Sequence, residues 1–122
     1  MRLNPLDKLF SEFIRRRAME RAGGCERCLS GKVDYKQLHC AHMFSRRKHM
    51  VRYDDSNAAG LCPGCHRFID DNALDKVRFF TKLLGEEAFE LLEGRSNQVG
   101  KVDENAVYLY FKAKLKDDRR YL

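Results

Sequence analysis

Cys25-Glu-Arg-Cys28 and Cys62-Pro-Gly-Cys65-His66 are the two stretches that decide how this sequence folds. Thirty-three residues separate them, and among those lie His39, His42 and Asn57. A C-x-x-C turn points two sulfurs at one side of an ion, so two such turns complete the tetrahedral shell that zinc prefers. A closed shell of four thiolates leaves no open coordination position. Cys25, Cys28, Cys62 and Cys65 are therefore expected to hold a structural Zn²⁺. Two pairs of identical spacing rarely coincide among unrelated buried or redox thiols. The long spacer predicts structure between the halves rather than a simple zinc ribbon. Cys40 is left over and reads as a small buried apolar residue.

The composition suits a folded intracellular domain. Charged residues make up 34% of the 122 residues and hydrophobic ones 43%, the balance of a folded rather than a disordered chain. One domain is expected at this length, with a modest core that benefits from a staple. The formal net charge of +6 favours a polyanionic partner. Zinc held by four thiolates carries a charge of about −2, and a second divalent cation would offset it. An odd number of cysteines, five, argues against a secreted disulfide framework. The start of the chain is charged from Arg2 and has no signal-peptide core. No apolar run approaches the roughly 18 residues of a membrane span. The expected setting is cytoplasmic and reducing, off the membrane, where thiols can take metal.

Periodicity and breakers divide the chain. Residues 1–23 read as an N-terminal helix, capped by Asn4-Pro5, with Leu6, Leu9, Phe10, Phe13 and Ile14 at helical spacing and a stop at Gly23-Gly24. Its Arg15-Arg16-Arg17 run reads first as solvated, with phosphate contact as the alternative. Residues 24–71 hold the zinc-clamped core. One strand is predicted to end near His42 and a second to cover residues 51–53, followed by a turn over 54–57 and a helix from His66. Residues 72–122 read as a helical extension. Leu74, Val77, Phe80, Leu83 and Leu84 share a face up to Gly85, and residues 86–93 form a short helix. A loop over 94–100 leads to a last helix, capped by Asp103, with Val107, Tyr108, Phe111 and Leu115 apolar. Lys112, Lys114 and Lys116 make its polar face basic, fit for DNA contact or dimerisation.

Zinc pins the ends of the core together, so His42, Asn57 and His66 can converge. A neutral imidazole takes a proton from water near pH 7. A divalent cation stabilises the charge that builds on a phosphate and on its leaving oxygen. An asparagine can hold the base or its loop, and arginines grip phosphate. Together these groups suit phosphodiester hydrolysis. Arg46, Arg47, Lys48 and Arg52 are the expected nucleic-acid contacts, and His49 reads as loop surface or a DNA-side contact. Nothing resembles a base-reading module, so DNA shape is expected to matter more than sequence.

His42, Asn57 and the Cys62-x-x-Cys65-His66 ending resemble the His-Asn-His motif of HNH (ββα-metal) endonucleases set in a zinc-ribbon frame. Four further runs are similar to small phage recombination nucleases of the NinG/Rap kind: Phe10-Ser-Glu-Phe-Ile-Arg15, Ala41-His-Met-Phe-Ser-Arg-Arg47, Val51-Arg-Tyr-Asp54 and Asn57-Ala58. The likeness covers roughly residues 6–93. It implies an α+β fold, a small ββα-metal core stapled by the zinc site and flanked by N-terminal and C-terminal helices. It implies a metal-dependent DNA endonuclease from a phage or bacterial setting, acting on recombination or branched DNA and leaving 5′-phosphate and 3′-hydroxyl ends. His42 would be the general base, Asn57 would orient the base and its loop, and His66 would bind a catalytic Mg²⁺ or Mn²⁺. A core this small cannot enclose branched DNA alone, so a homodimer is expected.

One position departs from the family pattern. Many HNH enzymes carry Asp or His just before the base as a second metal ligand, and here Ala41 cannot coordinate. His39 is the nearest substitute. Residues three apart face opposite sides of a regular strand, so His39 is expected to need a bulge or turn at Cys40. The rival readings are a zinc-dependent DNA-binding module without catalysis, in which His42 and His66 are structural, and an adaptor zinc protein.

Overall fold

In the computed structural model, which describes residues 4–120, Asn4 caps the first helix, α1 (Pro5–Ala22). The Asn4 side chain accepts from the Asp7 N–H at 2.7 Å, and Asp7 accepts from the Asn4 N–H at 3.1 Å, a reciprocal capping box. Gly23 ends the helix in the left-handed region, φ +66°, where a side chain would be strained. The buried stripe is Leu6, Phe10, Phe13, Ile14 and Ala18.

The sheet beneath this helix has two antiparallel strands, β1 (His39–His42) and β2 (Ala58–Leu61). Their register pairs His39 with Leu61, Cys40 with Gly60, Ala41 with Ala59 and His42 with Ala58. Alternation sends Cys40, His42, Ala58 and Gly60 to the α1 side, and His39, Ala41, Ala59 and Leu61 to the other. That second face is covered by α2 (Pro63–Asp71), α3 (Ala73–Leu84) and α4 (Glu86–Ser96), through Ile69, Phe80 and Phe89. The last helix, α5 (Glu104–Arg120), lays Phe111 and Leu115 on α1. The Phe111 ring sits 5.2 Å from Phe10 and 5.0 Å from Phe13, centroid to centroid. Asp103 accepts from the Ala106 N–H and caps it. The chain is thus α+β, with five α-helices among the described residues. None of these helices is long and apolar enough to cross a membrane.

Three expectations need correction. The second strand is not at 51–53: His49–Val51 is a 3₁₀ turn, and Ala58–Leu61 is the strand. The cause is side-chain chemistry, because Asn57 Nδ2 donates to the carbonyls of Phe44 and Val51, both at 3.0 Å, and curls the intervening loop. The helix after the second knuckle starts at Pro63 rather than His66, with Cys62 as its cap. The expected loop from residue 94 is helix until Ser96, whose hydroxyl bonds the Glu93 carbonyl.

Small residues on β2 set the depth of α1. A Cβ added at Gly60 would lie 2.5 Å from the Ala18 Cβ. Arg17 ties the same layers together, donating to the carbonyls of Asp55 at 3.0 Å and Ala58 at 2.9 Å. Gly60→Ala is therefore expected to destabilise the protein by about 1–3 kcal/mol through overpacking. Ala18→Gly in that background should return part of the loss despite its own helix penalty of about 1 kcal/mol. Urea denaturation of the two single variants and the double variant checks this, and strict additivity would refute the contact.

Candidate metal centre and catalytic cleft

The first knuckle docks on β2 before any metal is considered. The Glu26 N–H donates to the Gly60 carbonyl at 2.9 Å, and the Gly60 N–H donates back to the buried Glu26 carboxylate at 2.7 Å. Leu29, with φ +63°, turns the chain tightly after Cys28. On the far side, Cys62 Sγ faces the Cys65 N–H at 3.4 Å and opens α2. The four sulfurs of Cys25, Cys28, Cys62 and Cys65 lie within 4.8 Å of one another. Four sulfurs about 2.3 Å from one ion form a tetrahedron with edges of about 3.8 Å. The Cys28–Cys62 pair, at 3.9 Å, already has that spacing. The donor set fits Zn²⁺ in a closed structural site. Cys40 stands apart on the α1 face, its thiol pushed up to about 12 by burial, which makes it a poor ligand or nucleophile at neutral pH.

Along β1 runs a cleft of about 650 Å³. Phe10, Ser11 and Arg15 line it from α1, His39 and His42 from the strand, and His66, Asp70 and Lys76 from α2 and α3. The strand register carries no bulge, so the expected distortion at Cys40 is absent. His39 and His42 face opposite sides, as a regular strand requires, yet border one cleft because β1 is an edge strand.

His39 Nδ1 and His66 Nδ1 are 3.0 Å apart. Two ligand atoms about 2.1 Å from one octahedral ion, at right angles, would also lie about 3.0 Å apart. His66 Nε2 meets Asp70 Oδ2 at 3.2 Å, and Lys76 Nζ meets Asp70 Oδ1 at 3.1 Å. Burial lowers the His66 pKa, Asp70 opposes that effect, and His39 and Lys76 reinforce it. Asp70 and Lys76 were missed from sequence. The i,i+4 spacing of His66 and Asp70 on a helix was the available signal for the carboxylate.

His42 sits on the dry side of the cleft, with Phe10 5.7 Å from its ring. Its Nε2 is buried without a hydrogen-bond partner. Burial and then the Arg46 charge push its pKa down to about 4, while a backbone hydrogen bond to Arg52 pulls upward, as a ring N–H on a carbonyl does. The ring is therefore neutral at pH 7, with an unpartnered nitrogen. Asn57 is fully buried, and besides its two donated bonds it accepts from the Phe44 N–H at 2.8 Å. It fixes the loop that follows His42.

The arginines divide by partner. Arg46 lines the cleft. Arg47 and Lys48 are exposed. Arg52 is held by Asp7 through two bonds of 3.0 and 2.6 Å, with its side chain 12% exposed. Arg15, from the run read first as solvated, reaches the cleft.

Residues 25–70 match the family model described as HNH endonuclease. The match spans both knuckles, β1, β2 and nearly all of α2. No curated protein and no solved structure matches the chain significantly, and the narrower likeness to phage recombination nucleases rests on the sequence motifs alone.

Two outcomes are expected of this site. Replacing Cys62 with Ala should release the metal and abolish the cooperative melting transition, because structural zinc supplies folding energy directly. Metal analysis and calorimetry read both effects, and a variant that melts like wild type would refute the clamp. Separately, the unfolded chain takes up a histidine proton near pH 6.5, whereas native His42 resists until about pH 4. Stability should therefore fall as pH drops through that window. His42→Gln should make the fall shallower in denaturant titrations at stepped pH.

Proposed function

We propose that the chain is a metal-dependent DNA endonuclease. The observation that carries this reading is His42: a half-buried, neutral imidazole with a buried, unpartnered Nε2, in the same cleft as the paired His39 and His66. His42 Nε2 accepts the proton of a water molecule, whose oxygen attacks the phosphorus, and the 3′-oxygen leaves. The ring is neutral across the range in which enzymes work, so no deprotonation is needed before it acts.

His39 and His66 would hold a divalent cation, Mg²⁺ or Mn²⁺, in the cleft. Its chemistry there is to offset charge on the phosphate and on the leaving oxygen. This assigns to His39 the ligand position that Ala41 cannot fill. Asn57 keeps the residue 43–52 loop closed behind the base, through three side-chain bonds. Arg15, Arg46 and Lys76 around the cleft, with Arg47 and Lys48 beside it, supply the phosphate grip. Arg52 serves instead through Asp7, securing the backbone that His42 leans on. Recombination or branched DNA is the substrate class suggested by the sequence likeness.

Plasmid nicking and junction cleavage with Mg²⁺ and Mn²⁺ test this reading. Wild type is expected to cut, with 5′-phosphate ends. His42→Ala should lose at least about 100-fold in rate, the usual scale of general-base catalysis. Equal behaviour of wild type and His42→Ala would refute the reading and leave a zinc-dependent DNA-binding module.

A further inference from the structure

A chain of four side chains crosses the floor of the cleft. His39 Nδ1 faces His66 Nδ1 at 3.0 Å, His66 Nε2 faces Asp70 Oδ2 at 3.2 Å, and Asp70 Oδ1 faces Lys76 Nζ at 3.1 Å. Only one proton arrangement satisfies every member while His66 is neutral. A carboxylate accepts only, so His66 must donate from Nε2. His66 Nδ1 is then a bare lone pair and must accept from the Nδ1–H of His39. The lone pair of His66 therefore faces His39, whose own Nδ1 can join it on a cation once the His39 proton moves to Nε2.

We propose that Asp70, braced by Lys76, is a positioning residue that fixes His66 as the Nδ1 donor to the cleft cation. This rests on the cation site described above. A histidine that binds metal through one nitrogen commonly gives the other N–H to a carboxylate, which sets its tautomer and raises its donor strength. Asp70 is the partner of that kind here. Its side chain is 48% exposed, so by itself it would be only loosely held. Lys76, 21% exposed and reaching back from α3, holds the second oxygen in place. The turn that allows this is pinned by Asn72, whose side-chain amide donates to the Phe68 carbonyl at 2.7 Å. Asp70 and Lys76 therefore act through His66, while Lys76 also keeps positive charge at the cleft wall.

Mn²⁺ titration of the zinc-loaded full chain tests this, with wild type, His39→Ala, Asp70→Ala, Asp70→Asn and Lys76→Met compared at one pH. Asp70→Ala is expected to weaken Mn²⁺ binding by about 10–100-fold. Asp70→Asn, whose amide oxygen still accepts from Nε2–H, should lose distinctly less, and Lys76→Met should fall between it and wild type. Zinc content and melting temperature should stay at wild-type values in all four variants. The ¹⁵N spectrum of the His66 ring, recorded without Mn²⁺, gives a second readout. Wild type should show a protonated Nε2 and a bare Nδ1, and Asp70→Ala should show a mixture of tautomers. Mn²⁺ affinity within twofold of wild type in Asp70→Ala, or an unchanged tautomer, overturns the proposal. If Mn²⁺ binding to wild type does not respond to His39→Ala, the cation site itself fails, and this role with it. An inert Asp70→Ala beside a His39-sensitive site overturns the positioning role alone.

Discussion

Four sulfurs within 4.8 Å of one another join parts of the chain that are otherwise far apart in sequence. The first pair sits on a turn docked to β2 through Glu26 and Gly60. The second pair follows directly from that strand, and Cys62 doubles as the cap of α2. The cysteine cluster, the strand and the helix start are thus one construction. His66, one residue past the last sulfur, takes its place in the first turns of α2 from this arrangement and not from packing of its own. A sheet of only two short strands is a weak scaffold in water. Here it is closed at one end by the four-cysteine cluster and covered on both faces by helices.

That double covering explains the cleft. An edge strand between two helical layers leaves a trench into which side chains from both faces can turn. The two sides of the trench are not equivalent. His42 lies against Phe10 and loses hydration, and its pKa falls to about 4. His66 lies on the wetter side and keeps a carboxylate beside it. Environment alone therefore gives chemically identical rings different proton affinities and different partners.

Much of this was legible in the sequence, for identifiable reasons. The four-cysteine cluster follows from cysteine spacing, α1 from its cap and stripe, and the end of α3 from Gly85, although Leu74 and Val77, expected on its buried face, are exposed. The second strand was not legible, because Ala-Ala-Gly has poor strand propensity and is selected by the close approach of α1, a tertiary cause. Residues 51–53 carry β-branched and aromatic side chains and look more strand-like. They turn instead because Asn57 captures the Val51 carbonyl. Asp70 was within reach of helical spacing from His66. Lys76 was not, since a turn between two helices hides its phase. The tie between Asp7 and Arg52 spans 45 residues and leaves no local trace.

The arginines carry the same lesson into electrostatics. A formal charge of +6 does not measure a phosphate-binding surface. Arg17 is spent on two carbonyls, Arg52 on Asp7, and Arg27 on Cys65 Sγ at 3.3 Å and the Phe68 ring. Arg46 differs because it lines the cleft and its charge is the second cause, after burial, of the low proton affinity of His42. A phosphate drawn to Arg46 would offset that charge. The field holding His42 below its ordinary basicity would then weaken as substrate arrived, and the ring would hold a proton better at the moment water gives one up. An arginine placed beside a half-buried imidazole in this way would couple anion binding to the proton affinity of the ring without any movement of the backbone.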